Sequence, residues 1–309
     1  MLSGFSNNYL ALEEVLDSNG SLLMTWEDWY DSSYSLTDAI FADAKNLAVQ
    51  WPIRAEDGPL SGDTITIVLS TLNFGGQYLG GQDVELITQI KADPDFDQGN
   101  VRVAIAYSGN ISENTEVVSA VEEAVAVWKT IWTASGLTLE ERYTNINLPE
   151  NLPYPDASEE LLAASQNIGE DDDLLMIVGE MIANEQDLFG ISGGIPGSLL
   201  NSERSAVMVS WLENAGIDGN FSGSDIQLMG ETMAHEIGHY MGLYHPVESE
   251  YNYWDALTDT PDCNNWQSCE NQMGDNLMFP YPICYGECIN QVVLSPEQQG
   301  VLQLYTGAL

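Results

Sequence analysis

Every histidine of this 309-residue chain falls in the run His235-Glu236-Ile237-Gly238-His239-Tyr240-Met241-Gly242-Leu243-Tyr244-His245. His235 and His239 are four apart, so on a helix they project from one face, one turn above the other, and both imidazoles reach a single cation. Glu236 stands beside them. Its carboxylate is placed to take a proton from a metal-bound water whose pKa the metal has lowered towards ~7, which is the chemistry of hydrolysis at a polarised carbonyl. A helix carried straight on would put residue 245 about 15 Å along the axis from residue 235. The chain must therefore turn back, and Gly242 lies where a left-handed glycine ends a helix. Three protein nitrogens then leave a fourth position for water, the open arrangement of catalytic zinc sites. The plain rival, an amphipathic helix that happens to carry histidines, gives no reason for gathering all of them at ligand spacing.

Such a constellation needs a rigid scaffold, and the sequence from Asn100 onward supplies the pattern of one. Val101–Tyr107 is mostly apolar with little alternation, as a strand covered on both faces would be. Val117, Val118, Val121, Ala124, Val125, Trp128, Ile131 and Trp132 recur at three- and four-residue steps, predicting a long helix capped by Asn114 or Ser112 and ended near Gly136. Further strands are expected at 138–143, 173–178 and 206–211. The histidine helix is expected to start near Ser224, with Gln227 completing a capping box. Between the last strands, Phe189–Gly197 is rich in glycine; it lacks the lysine and the following helix that a phosphate loop needs.

Residues 1–95 read as a small, partly β module and a candidate pro-segment. Thr64–Leu69 alternates as a half-buried strand does, and Gly75-Gly76 and Gly80-Gly81 punctuate a passage towards Val84–Ile87. The cluster of Trp26, Trp29, Tyr30 and Tyr34 suits a small core better than a carbohydrate-stacking platform.

The pattern His235-Glu236-x-x-His239-x-x-Gly242-x-x-His245, with Asn276-Leu277-Met278 as a Met-turn, resembles the metzincin clan of zinc endopeptidases. Within that clan it is most similar to the pappalysin family. Asp255-Ala256-Leu257-Thr258-Asp259-Thr260-Pro261 resembles the family's acidic segment ending in Asp-Thr-Pro, and Leu294-Ser295-Pro296-Glu297-Gln298 the opening of its last helix. The resemblance implies an α/β (α+β) metzincin-like fold: a mixed twisted sheet with two long helices above a zinc cleft. The metallopeptidase domain would span 96–309, with an upper subdomain over 96–242 and a loop-rich lower one over 243–309. It implies zinc on His235, His239 and His245, Glu236 as general base, Met278 as an apolar floor, and calcium on Asp255, Asp259, Thr260 and Asp262. Without the resemblance those last four read equally as exposed loop residues. Metzincins carry a tyrosine two residues after the Met-turn methionine, where it stabilises the oxyanion; here Pro280 takes that position and Tyr281 follows as the candidate.

Composition narrows the partners. With 48 acidic against 7 basic residues the net charge is −41, which excludes nucleic acid and anionic membrane as natural ligands and leaves a protein or peptide substrate. No apolar run approaches the ~20 residues of a spanning helix. Cys263, Cys269, Cys284 and Cys288 cluster in a stretch where no helix or strand pattern shows, and two disulfides there would supply order that a small core cannot. A four-cysteine zinc site is the rival, disfavoured by the absence of tight two-residue spacing. Two disulfides imply an oxidising compartment; Met1–Phe5 shows no signal peptide, so the expectation is a secreted protein whose targeting segment has been removed. A calcium-dependent binding module that keeps zinc only as a staple is the reading from another class. Such a module gains nothing from Glu236 beside an open coordination position.

Overall fold

The computed structural model describes residues 2–5, 9–30, 34–35, 46–50, 64–73, 77–80, 83–88, 90–91, 99–154, 174–197, 206–216, 219–285, 288–305 and 307–308. Gly75, Gly76, Gly81 and Asp173 lie outside these, as do the side chains of Trp29, Tyr30 and Tyr34. The first part forms strands β1 (Leu2–Phe5), β2 (Tyr9–Leu16), β3 (Leu22–Thr25), β4 (Tyr34–Ser35), β5 (Asn46–Val49), β6 (Thr66–Leu72) and β7 (Glu85–Thr88), with a short helix α1 (Trp26–Tyr30). They make two three-stranded antiparallel sheets, β5-β1-β7 and β3-β2-β6. Leu10, Leu12, Val15, Met24 and Val49 form a small core of their own.

The larger part is an α/β unit: β8 (Gly99–Ser108), α2 (Thr115–Thr133), β9 (Leu137–Ile146), β10 (Asn151–Leu152), β11 (Leu174–Gly179), β12 (Met181–Ile182), β13 (Gly190–Ser192), β14 (Ala206–Ser210), α3 (Trp211–Asn214) and α4 (Gly223–Tyr240). The five-stranded sheet runs β13-β14-β11-β8-β9 and is mixed, parallel throughout except for β13. Strand β8 is apolar without alternation because both its faces are covered. Val101, Val103 and Ile105 face the helices, while Ala104 and Ala106 pack on Ile177, Met208 and Leu152 behind the sheet.

Helix α2 starts at Asn114, whose side chain accepts from the Glu116 and Val117 amides, and its apolar stripe is buried against the sheet and α4. The two long helices cross closely at Gly230. A Cβ there would stand 2.6 Å from the Ala124 carbonyl oxygen and from Val127 Cβ, so only glycine lets the backbones meet. Helix α4 begins two residues earlier than the sequence suggests. Ser222 caps it in a reciprocal box with Asp225, and Gln227 instead donates to Glu231 one turn on.

After α4 come β15 (Trp254–Asp255), α5 (Trp266–Met273) and α6 (Pro296–Leu304). Helix α5 lies in the stretch expected to be without helix. It is only eight residues long, capped by Asn265, and buries just Cys269 and Met273, too little for a periodic signal. The first part of the chain docks on this region: β4 pairs in parallel with β15, Gln50 Nε2 donates to the Val301 carbonyl, and Lys91 Nζ donates to the Gln303 carbonyl. Among the described residues no helix is long and apolar enough to cross a membrane.

Candidate active site

Two of the three histidines lie on the last turns of α4, and the third depends on how that helix ends. The Gly242 amide donates to His239 O and the Leu243 amide to Gly238 O, a pair of bonds that closes a helix around one left-handed residue. Gly242 adopts φ +110, as the spacing predicted. A side chain there would be strained and would also meet Gln50 Oε1 at 3.2 Å. The chain then doubles back and returns His245 to its partners.

The three rings converge through their Nε2 atoms. His239 Nε2 lies 3.1 Å and His235 Nε2 3.3 Å from His245 Nε2. Two nitrogens each ~2.05 Å from one zinc at the tetrahedral angle would stand roughly 3.3 Å apart, so the donor set fits the ion. Every Nδ1 is already committed. His235 donates to Leu277 O at 2.7 Å, His239 to Leu243 O at 2.6 Å, and His245 to the Glu248 carboxylate at 2.9 Å. Carbonyls and carboxylates only accept, so the proton sits on Nδ1 and the Nε2 lone pair is left for metal. Burial, reinforced by the neighbouring His245, pushes His235 down to about 3 and, with both neighbouring imidazoles, holds His239 well below its usual value. Both are neutral at pH 7, as ligands must be. Among the described residues these histidines are the only group of three or more His, Cys, Asp or Glu side chains arranged to hold a metal ion.

Glu236 is 9% exposed and lies under β13, the edge strand of the sheet. Gly190 lets that strand pass close, since a Cβ there would stand 2.6 Å from Glu236 Cγ. The Ser192 amide donates to the carboxylate. Burial outweighs that bond and pushes the carboxyl up to about 8; a divalent cation nearby would draw it down again. The glycine-rich run thus supplies the edge strand itself. Phe189, Thr232, His235, Glu236, Phe279 and Tyr281 line one cleft.

Met278 is fully buried with its sulfur 2.9 Å from where a Gly238 Cβ would stand, so it packs against the histidine helix. Its turn is held from behind. Asn276 Oδ1 accepts from the Met278 amide, and the Asn276 side chain pairs with Gln298 inside the capping box of α6. Tyr281 stands at the cleft with its hydroxyl hydrogen-bonded to that of Tyr251. The cysteines pair locally, Cys263 with Cys269 and Cys284 with Cys288.

The four expected calcium residues are only partly brought together. Asp255 Oδ1 accepts from Thr260 Oγ1 and the Leu257 amide, whereas its buried Oδ2 has no partner. Asp259 instead caps α6, accepting from Ser295 Oγ and the Glu297 amide, and Asp262 is exposed. Sequence reasoning missed Glu248 and the Leu277 and Leu243 carbonyls. A carbonyl carries no residue signature, and one glutamate among 48 acidic residues gives none.

Residues 108–246, which contain all three histidines, match the model of the M12B reprolysin-like metallopeptidase family. No curated protein matches. Similar solved structures include an archaemetzincin from Methanopyrus kandleri, at 13% identity and TM-score 0.38, covering 68% of this chain and 96% of the other. Metalloproteinase-II from Bacteroides fragilis shows 14% identity and TM-score 0.38, over 71% of this chain and 57% of the other. A zinc-dependent peptidase from Methanocorpusculum labreanum shows 13% identity and TM-score 0.35, over 65% and 99%. The family match over 108–246 and the converging imidazoles together support a zinc-dependent metallopeptidase.

Proposed function

We propose that the protein is a pappalysin-like zinc endopeptidase acting outside the cell, with residues 96–309 as its peptidase domain. The observation that carries this reading is the convergence of three Nε2 atoms beside a buried carboxylate in one cleft. Zinc bound there would supply a polarised scissile carbonyl and an acidified water. Glu236 takes the proton of the attacking water and returns it to the leaving amine, held for both steps by the Ser192 amide. Strand β13 pairs with β14 on one side, and its other edge is where an extended substrate would add as a further strand. Tyr281, whose hydroxyl is hydrogen-bonded to that of Tyr251, would donate to the oxyanion if it accepts from Tyr251. Two disulfides support the oxidising compartment.

Cleavage of an unstructured protein such as casein tests the reading. It should stop with a zinc chelator and return when zinc is restored. A zinc-loaded chain that still cleaves nothing after limited proteolysis has removed residues 1–95 would favour the binding module.

The proposal extends to calcium at Asp255. Burial, then the charges of Asp259 and Glu297, push this carboxyl up to about 7, although its bonds from Thr260 and Leu257 oppose the shift. A folded pKa above the unfolded value of 3.8 means that stability is full below about pH 4 and is lost as pH rises through about 7. In chelator, Asp255→Asn should therefore flatten the pH dependence and be more stable than wild type at pH 8, by up to about 4 kcal/mol. Calcium should reverse the order, raising the wild-type midpoint but not the variant's. Thermal unfolding at pH 8 measures both, and a wild-type midpoint indifferent to calcium would strike it from the cofactors.

A further inference from the structure

The ring of His245 differs from the other two in what holds it. His235 and His239 each lean on a backbone carbonyl, fixed by the fold whatever the side chains are. His245 leans on a side chain, the carboxylate of Glu248, at 2.9 Å. It also lies beyond the helix, on a returning loop, where its orientation is least determined by secondary structure.

Glu248 stands in a loop built to be stiff. Val247 and Trp254 face each other across an antiparallel bridge, the Glu248 amide donates to Tyr253 O, and the Tyr251 amide donates to Glu248 O. Tyr251 is forced to φ +58, an uncommon conformation for a bulky residue, and its hydroxyl reaches Tyr281 at the cleft. The Trp254 indole donates to Cys263 O. These bonds run through the backbone of Glu248 or through its neighbours, so the loop keeps its shape without the Glu248 side chain.

We propose that Glu248 is a positioning residue that holds the His245 ring, through Nδ1, with Nε2 turned towards the other two imidazoles. A carboxylate on the far nitrogen fixes the tautomer and makes the near one a better donor, and loss of such a partner typically costs 10–100-fold in metal affinity. The inference rests on the three-histidine zinc site of the proposed function and adds to it the residue on which the third ligand depends.

The test is zinc affinity, measured by competition with a chromogenic chelator, for wild type, Glu248→Ala and Glu248→Gln. Wild type should bind one zinc, and the alanine variant should bind it about 10–100-fold more weakly. Glutamine still offers an oxygen to the Nδ1 proton, so it should recover most of the loss. A purely structural role predicts no such recovery, and equal weakening of both variants overturns the proposal. So does an alanine variant whose affinity stays within about threefold of wild type, well short of the loss expected of a lost partner. Zinc bound normally by wild type in either case leaves the peptidase reading standing. No zinc in wild type removes the site and the inference together. Thermal unfolding of the metal-free proteins guards against misfolding: a variant that melts far below metal-free wild type would show that the side chain holds the loop rather than the ring.

Discussion

Glu236→Gln should leave zinc in place and slow peptide cleavage by about 10²–10⁴-fold, the usual cost of losing acid–base catalysis. Glutamine matches glutamate in size and can still accept from the Ser192 amide, so the packing under Gly190 survives. What disappears is basicity. The metal ligands are untouched, because all three imidazoles draw their orientation from Leu277, Leu243 and Glu248 rather than from Glu236. The measurement is a pair: metal content of the purified variant, and its rate on casein beside that of zinc-loaded wild type. Near-equal rates would place the proton transfer on another group.

His239→Ala should abolish zinc binding outright and activity with it. His239 is the most buried of the three imidazoles, 6% exposed, and the chain contains no fourth histidine to stand in. Its removal leaves two imidazoles and the Leu243 carbonyl facing the gap. Because binding free energy at such a site is also folding free energy, wild type should melt higher with zinc than without, and the variant should melt alike in both. Full zinc content in the variant would overturn the ligand assignment.

The periodicity of Val117–Trp132 and the unbroken apolar run of β8 located the α2/β8 scaffold, because two-face burial and a helical stripe each leave a pattern in the residues themselves. Gly242 was legible for a conformational reason, and the histidine spacing for a chemical one. Helix α5 was not, since its eight residues bury only Cys269 and Met273, one pair at helical spacing. The start of α4 lies two residues before the expected one because Ser222 and Ser224 offer the same hydroxyl, and the reciprocal box with Asp225 selects Ser222. The calcium expectation met a competing use of Asp259, whose carboxylate caps α6. No local pattern could show that, because the helix it caps begins 37 residues further on at Pro296. Glu248 was invisible for the opposite reason, being close to His245 in sequence but indistinguishable in an acidic chain.

The docking of the first strands on the last helix bears on when this molecule becomes a finished object. Gln50 and Val301 are separated by 251 residues and Lys91 and Gln303 by 212, so these contacts close only once residues 301–303 have been made. Contacts so distant in sequence form late and slowly. The carbonyl of Leu277 that orients His235 also lies beyond the histidine run, so a nascent chain that has just completed His235–His245 still lacks what aligns its first ring. Domains take shape as they emerge from the ribosome, at about 5–20 residues per second. A chain stalled before residue 277 therefore carries the whole histidine motif without the carbonyl that aligns its first ring.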